Sequence, residues 1–553
     1  MSTHAIFRPP AAFNEPVHDF SPGSPERARL RLRLEQMRNE RVEVPLVIGG
    51  KDVTTGDTRP AVMPHDKEHV LADVHQGGGE HVQAAVDAAA EAWKDWSRWP
   101  WEERAAVFLR AAELLSGPWR DTLNAATMLG QSKTAHQAEI DAACELIDFL
   151  RFNVEFMTRI YSEQPRSSPG MWNRMEYRPL EGFVFAVSPF NFTAIAGNLT
   201  SSPALMGNTV VWKPASTAML SAHYLMRLFQ EAGLPDGVIN LVYGSGATIG
   251  DAVLGSEHLA GIHFTGSTPV FNGMWRTVGE NMDRYRNYPR IVGETGGKDF
   301  IVAHPSADVD ALATAIVRGS FEYQGQKCSA ASRVYAPSNL WPQLRERLQE
   351  QVATIKVGDV SDFGNFMGAV IDGNSFATQR DAIEEAKSDA QSDVVVGGGY
   401  DDSRGFFVDP TVIETRDPEF RLLKEELFGP VVTTYVYDEG AWDETLDLVD
   451  RTAPYGLTGA VFSEDRAAVD EASDRLRYAA GNFYVNDKPT GAVVGQQPFG
   501  GSRASGTNDK AGSMWNLIRW VSPRTVKETF LPARDYRYPF LDPDADGGQP
   551  DRP

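Results

Sequence analysis

The chain has 553 residues, more than one compact domain usually holds, so we expect two or three domains. Its 42% hydrophobic and 23% charged residues are typical of a folded globular protein. No apolar run of about 18 residues predicts a membrane span. The formal net charge of −22 disfavours nucleic acid and anionic membrane surfaces as partners, because both repel an acidic protein.

The two cysteines, Cys144 and Cys328, show no spacing typical of zinc ligands or of a disulfide framework. We therefore predict neither a metal site nor a disulfide. Residues 1–20 lack the apolar core of a signal peptide and the Arg-rich pattern of a transit peptide. We predict a cytoplasmic protein, with the mitochondrial matrix as the alternative for a chain whose presequence has been removed.

Two stretches of the N-terminal third of the chain are predicted to be helical. Within residues 1–45, the charged and leucine-rich run 26–35 indicates a helix in an arm that packs on the main body. Apolar residues at helical spacing, among them Val82, Val86 and Ala89, predict that helices dominate residues 80–160.

From residue 182 onward, short apolar runs alternate with helical segments, which indicates βαβ units and a mainly parallel sheet. The first four runs lie at 183–187, 209–212, 238–242 and 262–264. A second α/β region begins with the run 300–302, carries Cys328 and contains a glycine loop at 397–399. The last residues, rich in Asp, Gly and Pro, are predicted to be disordered.

Parallel sheets bind ligands beyond the carboxyl ends of their strands, and polar motifs fall there. Gly244, Gly246 and Gly250 follow the strand 238–242 and predict either a plain turn or a helix N-terminus that faces phosphate. Glu294 precedes two glycines in a run that superficially resembles a phosphate-binding loop, but a valine replaces the first required glycine, so ATP binding is rejected. Glu294 is instead an accessible candidate base, or a solvated turn residue.

Two further residues are candidates for chemistry. Cys328 lies in the polar run 325–329, whereas Cys144 lies in an apolar helix. A lone cysteine is commonly an inert core residue, but a polar setting favours a reactive thiol. Asn191 follows the strand 183–187, where its side-chain amide could donate to an oxyanion or cap the next helix.

Six motifs occur in one order over residues 45–530. They are Pro189-Phe190-Asn191, Trp212-Lys213-Pro214, Phe264-Thr265-Gly266-Ser267, Glu294-Thr295-Gly296-Gly297-Lys298, Gly325-Gln326-Lys327-Cys328 and Glu425-Glu426-Leu427-Phe428-Gly429-Pro430. Together these motifs resemble the aldehyde dehydrogenase superfamily. The resemblance implies an α/β fold with a Rossmann-like NAD-binding domain, a catalytic α/β domain and a small β oligomerisation arm.

The resemblance also implies roles for individual residues. Cys328 would attack an aldehyde, Asn191 would hold the oxyanion, and Glu294 would activate the water that hydrolyses the thioester. NAD is the implied cofactor. Its implied contacts are Ser188, Pro189, Phe190, Lys213, Ser216, Gly246, Gly250, Thr265, Gly266, Ser267, Glu426 and Phe428.

A closer resemblance to the 1-pyrroline-5-carboxylate dehydrogenase branch of this superfamily rests on the runs 137–141, 486–501 and 505–510. It implies oxidation of L-glutamate γ-semialdehyde to L-glutamate, the second step of proline catabolism. The implied substrate contacts are Glu145, Phe192, Ser329, Gly491, Ala492 and Phe499. Ala492 departs from the branch, in which many members have serine, so one hydrogen bond to the substrate carboxylate would be lost.

Two alternatives stay open at this stage. Ser216 stands where an acidic residue would select the unphosphorylated ribose, so NADP, or another semialdehyde, is an alternative for the same chemistry. A structural role on a retained fold is the other alternative. It predicts loss of Cys328, Glu294 or Asn191, and all three are present.

The resemblance finally implies an architecture. The domains would be an N-terminal arm at 1–45, the NAD-binding domain at 46–159 and 181–296, the catalytic domain at 297–514, the oligomerisation arm at 160–180 and 515–545, and a disordered tail at 546–553. We predict a small-molecule substrate and a homo-oligomer built from dimers. A separate proline dehydrogenase that supplies the semialdehyde is a candidate partner.

Overall fold

The structure is a computed structural model that describes residues 5–541. The predicted disordered tail at 546–553 lies outside the described residues. Within residues 5–541, no helix is long and apolar enough to cross a membrane.

The helix predicted at 26–35 is confirmed as part of α1, Pro25–Asn39. Its first turn is capped by the hydroxyl of Ser24, which accepts a hydrogen bond from the Arg27 N–H, and a proline at the first position suits a helix start. Leu30 and Leu34 lie on the face of α1 that is buried against the rest of the protein. Burial of this apolar face holds α1 on the main body.

The next part of the chain begins with five strands, after which residues 80–160 are mainly helical, as predicted. Its elements are β1 Val42–Val44, β2 Leu46–Ile48, β3 Lys51–Val53, β4 Thr58–Met63, β5 Asp66–His75, α2 Gly79–Trp96, α3 Trp101–Ser116, α4 Arg120–Gln131, α5 Ala135–Ala138, a π-helical segment Glu139–Glu145 and α6 Leu146–Ser162. On α2, Val82, Val86 and Ala89 are buried, which confirms the helical period read from the sequence. Strands β1, β5 and β4 form a three-stranded sheet.

All four predicted strands of the following region are present. The elements are β6 Met171–Pro179, β7 Phe183–Ser188, α7 Thr193–Leu205, β8 Thr209–Pro214, α8 Met219–Glu231, β9 Ile239–Leu241, α9 Gly246–Leu254, β10 Leu259–Thr265, α10 Thr268–Glu280 and β11 Arg290–Glu294. They form a seven-stranded sheet in the order β11-β10-β7-β8-β9-β2-β3. Strands β7 to β11 pair in parallel, and the strand order switches direction between β7 and β10.

A second sheet follows, as predicted from the run 300–302. The elements are β12 Asp299–Ala303, α11 Val309–Phe321, a 3-10 turn Glu322–Gly325, β13 Ala331–Pro337, α12 Trp341–Val352, α13 Gly373–Ser388, β14 Ser392–Val396, β15 Tyr400–Asp401, β16 Phe407–Val408, β17 Thr411–Thr415, α14 Arg421–Lys424, β18 Val431–Tyr437, α15 Trp442–Thr452, β19 Tyr455–Gly456, β20 Thr458–Phe462, α16 Arg466–Arg475, β21 Asn482–Val485 and β22 Ser502–Arg503. The seven strands lie in the order β14-β17-β18-β13-β12-β20-β21, and β14 is antiparallel to its neighbour.

The last described elements are α17 Met514–Leu517 and β23 Val521–Thr529. Strand β23 pairs with β6 along its whole length as an antiparallel ribbon, from Val521 beside Pro179 to Thr529 beside Met171. Most residues of the ribbon are exposed or half-buried, so it lies outside the two main cores.

Candidate active site

Four strand ends of the first sheet meet at one edge. The register pairs Ser188 of β7 with Pro214 of β8, and Thr265 of β10 with Glu294 of β11. The switch in strand order between β7 and β10 opens a crevice at this carboxyl edge, where parallel sheets bind their ligands. The sheet topology therefore places the predicted site residues on both sides of that crevice.

The segment before Cys328 has an unusual backbone. Tyr323 and Gln324 both have left-handed φ values, 53° and 54°, and Gly325 follows with φ 65°. These residues separate α11 from the turn that carries the half-buried Cys328, directly before β13. Non-glycine residues cost free energy in this conformation, so surrounding contacts must hold them.

At Gly325 the surrounding atoms leave no room for a side chain. A Cβ atom there would lie 2.3 Å from the Gly429 carbonyl oxygen. We expect Gly325→Ala to lower the free energy of unfolding by about 2 kcal/mol or more. The substitution should also shift Cys328 and so reduce kcat by roughly 100-fold. Thermal unfolding and NADH formation would measure both effects.

Gly273→Ala is the matched control, because a Cβ at this glycine of α10 meets no atom within 4 Å. This variant should unfold at or slightly above the wild-type temperature, since alanine is the better helix former. Wild-type stability and activity in Gly325→Ala would contradict the requirement for this backbone geometry.

A short segment after α4 holds the strained residues in place. The Tyr323 hydroxyl donates to the Gln131 carbonyl at 3.0 Å, and Gln324 Nε2 donates to the Ser132 carbonyl at 3.0 Å. The Lys133 ammonium lies 4.5 Å from the centre of the Tyr323 ring and 4.1 Å from that of Phe192. The segment thus links the turn before Cys328 to the turn after β7, and no periodic pattern in the sequence predicted this link.

Asn191 is not the cap of the following helix. The first N–H groups of α7, those of Thr193 and Ala194, instead donate to the carboxylate of Asp141 at 3.0 and 2.8 Å. Asn191 is buried, and its Nδ2 donates to the Gln326 carbonyl at 3.1 Å, two residues before Cys328. An amide nitrogen carries two hydrogens, so Asn191 keeps a second donor besides the one that binds the Gln326 carbonyl.

The two glycines after Glu294 are required by close packing. A Cβ at Gly297 would lie 2.4 Å from the Cys328 carbonyl oxygen, and a Cβ at Gly296 would lie 2.0 Å from Glu426 Oε2. The Gly297 N–H donates to Glu426 Oε1 at 2.8 Å. This turn therefore brings the backbone of Cys328, the carboxyl group of Glu426 and the end of β11 together.

Glu294 is half-buried at the end of β11. Burial raises the pKa of Glu294 well above its ordinary value, against the opposing effects of the Gly501 N–H, 3.4 Å from Oε2, and of Lys510. A carboxyl group with a raised pKa is a stronger base once it is ionised, which suits proton transfer near neutral pH.

The surroundings of the Cys328 thiol favour its neutral form. Burial raises its pKa well above the ordinary value, and the nearby carboxyl groups of Asp299 and Glu294 raise it further. A thiol that is not ionised at rest needs a base to become a nucleophile. The carboxyl group of Glu294 lies close enough to interact electrostatically with this thiol.

The predicted cofactor contacts on β7 and β8 lie along the crevice. The Ser188 hydroxyl accepts from the Trp212 indole N–H at 2.9 Å, and Pro189 and Phe190 follow it. Lys213 is partly buried, its Nζ donates to the Pro214 carbonyl at 3.1 Å, and burial lowers its pKa. Its neighbour in the turn after β8, Ser216, is exposed.

The remaining predicted cofactor contacts come from other elements. Gly266 and Ser267 follow Thr265 at the end of β10, where the Gly266 N–H donates to the Glu294 carbonyl at 3.2 Å. On the other side, Phe428 has a left-handed φ of 56°, and its ring centre lies 5.7 Å from that of Phe190. Burial raises the pKa of the adjacent Glu426 to about 7.

The glycine motif after β9 does open a helix, as one of its two interpretations predicted. Ser245 caps α9, and its hydroxyl accepts from the Thr248 N–H at 3.1 Å. Gly246 is exposed and Gly250 half-buried on the first turns of this helix. The helix N-terminus is therefore open to a ligand group that carries negative charge.

The predicted substrate contacts lie in two groups. Ser329 is buried next to Cys328, and its hydroxyl lies 2.8 Å from the Thr490 hydroxyl, directly before Gly491 and Ala492. Gly491 is exposed and has φ +98°, a conformation that favours glycine. Phe499 is half-buried, and its backbone pairs with Ala511 through two hydrogen bonds.

The other two predicted substrate contacts lie beside Lys133. Phe192 packs its ring under the Lys133 ammonium, which forms a buried ion pair with Asp141 at 2.7 Å. Glu145 ends the π-helical segment, and burial raises its pKa to about 8. A neutral Glu145 at neutral pH would donate as well as accept hydrogen bonds.

The sequence interpretation of Cys144 was only partly right. Cys144 is buried, as expected of an unreactive cysteine, but its surroundings are not apolar. Arg120 Nη2 lies 3.5 Å from its sulfur, and Arg120 pairs with the buried carboxylate of Glu139. Burial raises the pKa of the Cys144 thiol, and the charge of Glu139 raises it further. Glu139 lies in the same π-helical segment as Cys144, but Arg120 comes from α4, so the local sequence could not show the arginine.

The sequence profile described as "Aldehyde dehydrogenase family" matches residues 53–526. The chain belongs to the aldehyde dehydrogenase family. Its described fold and the six predicted motifs agree with this membership.

Family members from several organisms are similar over nearly the full chain. The protein named "Delta-1-pyrroline-5-carboxylate dehydrogenase, mitochondrial" from Dictyostelium discoideum is 50% identical over 544 residues, 98% of each chain. The protein of the same name from Bos taurus is 52% identical over 529 residues, 96% of this chain and 94% of the relative. Among solved structures, the "Delta-pyrroline-5-carboxylate dehydrogenase from Mycobacterium tuberculosis bound with NAD" has a TM-score of 0.94 and 54% identity, and the match covers 98% of this chain and 100% of that one.

Proposed function

We propose that this aldehyde dehydrogenase oxidises L-glutamate γ-semialdehyde, the open form of 1-pyrroline-5-carboxylate, to L-glutamate with NAD. The observation that carries the proposal is the approach of Cys328, Asn191 and Glu294 to one crevice, beside the Ser329–Thr490 contact that fixes a small polar loop. Similarity over nearly the whole chain to relatives named for this reaction supports the substrate.

The chain's own residues suffice to activate an aldehyde. Cys328 loses its proton to water, and the thiolate sulfur bonds to the aldehyde carbon. The carbonyl oxygen becomes an oxyanion that the free Asn191 Nδ2–H and the Cys328 N–H stabilise. The result is a tetrahedral thiohemiacetal in which the carbon keeps its hydrogen. NAD, when bound, supplies the hydride acceptor.

The next task of the protein is hydrolysis of the thioester on Cys328. The ionised carboxylate of Glu294 removes a proton from water, and the water oxygen bonds to the thioester carbon. The same two N–H donors stabilise the second oxyanion. Cleavage of the carbon–sulfur bond then releases the carboxylic acid and restores the thiol.

The residues around the crevice fit a dinucleotide. The exposed N-terminus of α9 at Gly246 offers N–H groups to a phosphate, and Lys213 offers an ammonium whose described acceptor is one backbone carbonyl. Glu426 and Phe428 lie across the crevice from Phe190, next to the Cys328 turn, where they would hold the nicotinamide end.

The loop at Gly491 fits a carboxylate. Its backbone N–H groups and the Ser329 hydroxyl are short-range donors for an anion, and no arginine is needed to neutralise one charge. Phe192 and Phe499 would flank the methylene chain, and Glu145 would lie near the aldehyde entrance. With alanine at 492 the loop offers one hydroxyl fewer than it would with serine at this position.

The test of the proposal is NADH formation at 340 nm with 1-pyrroline-5-carboxylate, compared with NADP and with succinic semialdehyde. We expect kcat/KM to be at least about tenfold higher with NAD and with the five-carbon substrate, a difference of about 1.4 kcal/mol. NADP as the better cofactor would support the alternative that the exposed Ser216 leaves open. Equal rates with shorter semialdehydes would contradict the assigned substrate.

We also propose the assembly and the domain division. The domain boundaries would be those predicted from the sequence. They are supported by the two seven-stranded sheets, whose strands lie within residues 46–294 and 299–485. The exposed ribbon of β6 and β23, with Trp172 51% exposed, supports a homo-oligomer built from dimers through the ribbon. Light scattering of wild type and Trp172→Glu would test it, and a wild-type monomer would contradict it.

The compartment and the partner are further proposals. We propose a cytoplasmic enzyme that receives its substrate from a separate proline dehydrogenase, with the mitochondrial matrix as the alternative. The names of the Dictyostelium discoideum and Bos taurus relatives favour that alternative for a eukaryotic source. Fractionation of the source cells would decide between them.

A further inference from the structure

The proposed carboxylate loop, residues 490–494, is held at two anchor points. The first is the 2.8 Å contact of the Thr490 hydroxyl with Ser329, next to the nucleophile. The second is Val494, whose side chain is buried in the core of the first sheet. Between them, Gly491 is exposed and Ala492 half-buried, so the position of their N–H groups depends on both anchors.

The second anchor is held by Asn14, almost 500 positions away in sequence. Asn14 Nδ2 donates to the Val494 carbonyl at 2.8 Å and to Asp148 Oδ2 of α6 at 2.7 Å. Its Oδ1 accepts from Gln496 Nε2 at 2.9 Å. One side chain therefore ties the end of the loop to a helix of the main body through three hydrogen bonds.

Asn14 is itself fixed by its neighbour. The Glu15 N–H donates to Asp148 Oδ1 at 2.7 Å, so both residues share one carboxylate. The Glu15 carboxylate pairs with Arg120 at 2.6 Å and with Arg151 at 2.7 Å, and all three side chains are largely buried. Each arginine binds a different oxygen of the Glu15 carboxylate, and these two charged contacts restrain the position of Glu15 strongly.

Asn14 also lies outside the part of the chain that the family profile matches, residues 53–526. The N-terminal segment thus adds a contact to the loop that the shared family domain does not supply. We infer that Asn14 is a positioning residue for substrate selection, which holds the 490–494 loop so that its N–H groups meet the substrate carboxylate. This inference rests on the proposed function.

The experiment compares two aldehydes, L-glutamate γ-semialdehyde and hexanal, which has no carboxylate. In Asn14→Ala, KM for the semialdehyde should rise roughly 5- to 10-fold, as expected for the loss of one or two hydrogen bonds, with kcat nearly unchanged. The kinetic constants for hexanal should stay at wild-type values. Asn14→Asp should raise KM further, because it loses the donor and faces the Asp148 carboxylate.

The matched control is Asn39→Ala, which removes an exposed hydrogen bond to the Glu35 carbonyl at the end of α1 and should change neither substrate's constants. Equal losses with both aldehydes in Asn14→Ala, or an unchanged KM for the semialdehyde, would overturn the inference. A wild type that does not prefer the carboxylate-bearing aldehyde would instead refute the proposed function.

Discussion

Cys328→Ala is expected to reduce NADH formation by at least about 10⁴-fold, the scale on which loss of a catalytic nucleophile acts. Without the sulfur, the aldehyde carbon cannot become tetrahedral on the enzyme, and Asn191 has no oxyanion to stabilise. Binding of NAD, measured by calorimetry, should be retained, because the Cys328 side chain is small and half-buried.

Cys144→Ala is the matched control for this prediction. It removes the other cysteine, which is buried beside Arg120, and should leave kcat near the wild-type value. The loss of stability should be only modest, because Arg120 keeps its carboxylate partners, Glu15 and Glu139. Substantial activity in Cys328→Ala would refute the assignment of the nucleophile.

Glu294→Gln is expected to slow steady-state turnover by about 10²- to 10⁴-fold, the usual contribution of a general base. Glutamine fills the same space but cannot accept a proton from water, so the thioester on Cys328 should persist. Because Glu294 acts on the thioester and not on the thiol, rapid mixing should show a burst of one NADH per active site, and mass spectrometry should show an acyl group on Cys328. Absence of the burst would mean that Glu294 is required before hydride transfer.

The double variant Glu294→Gln/Cys328→Ala should show neither burst nor acyl group.

The wild-type rate should also depend on pH in a definite direction. Burial raises the pKa of Glu294, and the base acts only when ionised, so kcat should rise with pH through a range above that of an ordinary carboxylate. Glu294→Gln should lose this dependence. A kcat that falls with rising pH in this range would contradict the role.

The fold was largely predictable because its strands are buried on both faces. The runs at 183–187 and 209–212 are continuous apolar stretches between helical segments, and the structure places both in one parallel sheet. The order of the strands and the pairing of β2 with β9 could not be read in this way. Pairing across long sequence separations depends on tertiary contacts that leave no periodic pattern.

The site was predictable where its residues form recognisable runs, as around Cys328 and Glu294. It was not predictable where function depends on contacts between distant segments. Asp141 lies in a run noted as typical of the branch, yet only the structure places its carboxylate under the first turn of α7. The buried Asp299, whose Oδ1 accepts from the Thr458 N–H at 2.7 Å, had no signal beyond an ordinary strand start.

The position of Cys144 beneath the N-terminal segment makes the protein suitable for thiol counting. Its sulfur lies 3.8 Å from the Pro16 carbonyl oxygen, whereas Cys328 is half-buried at the crevice. A thiol reagent added to the native enzyme therefore titrates one group per chain and gives the concentration of intact active sites. A second equivalent reacts only in molecules whose N-terminal segment has lifted, so the slow phase of the same reaction gives the frequency of that opening.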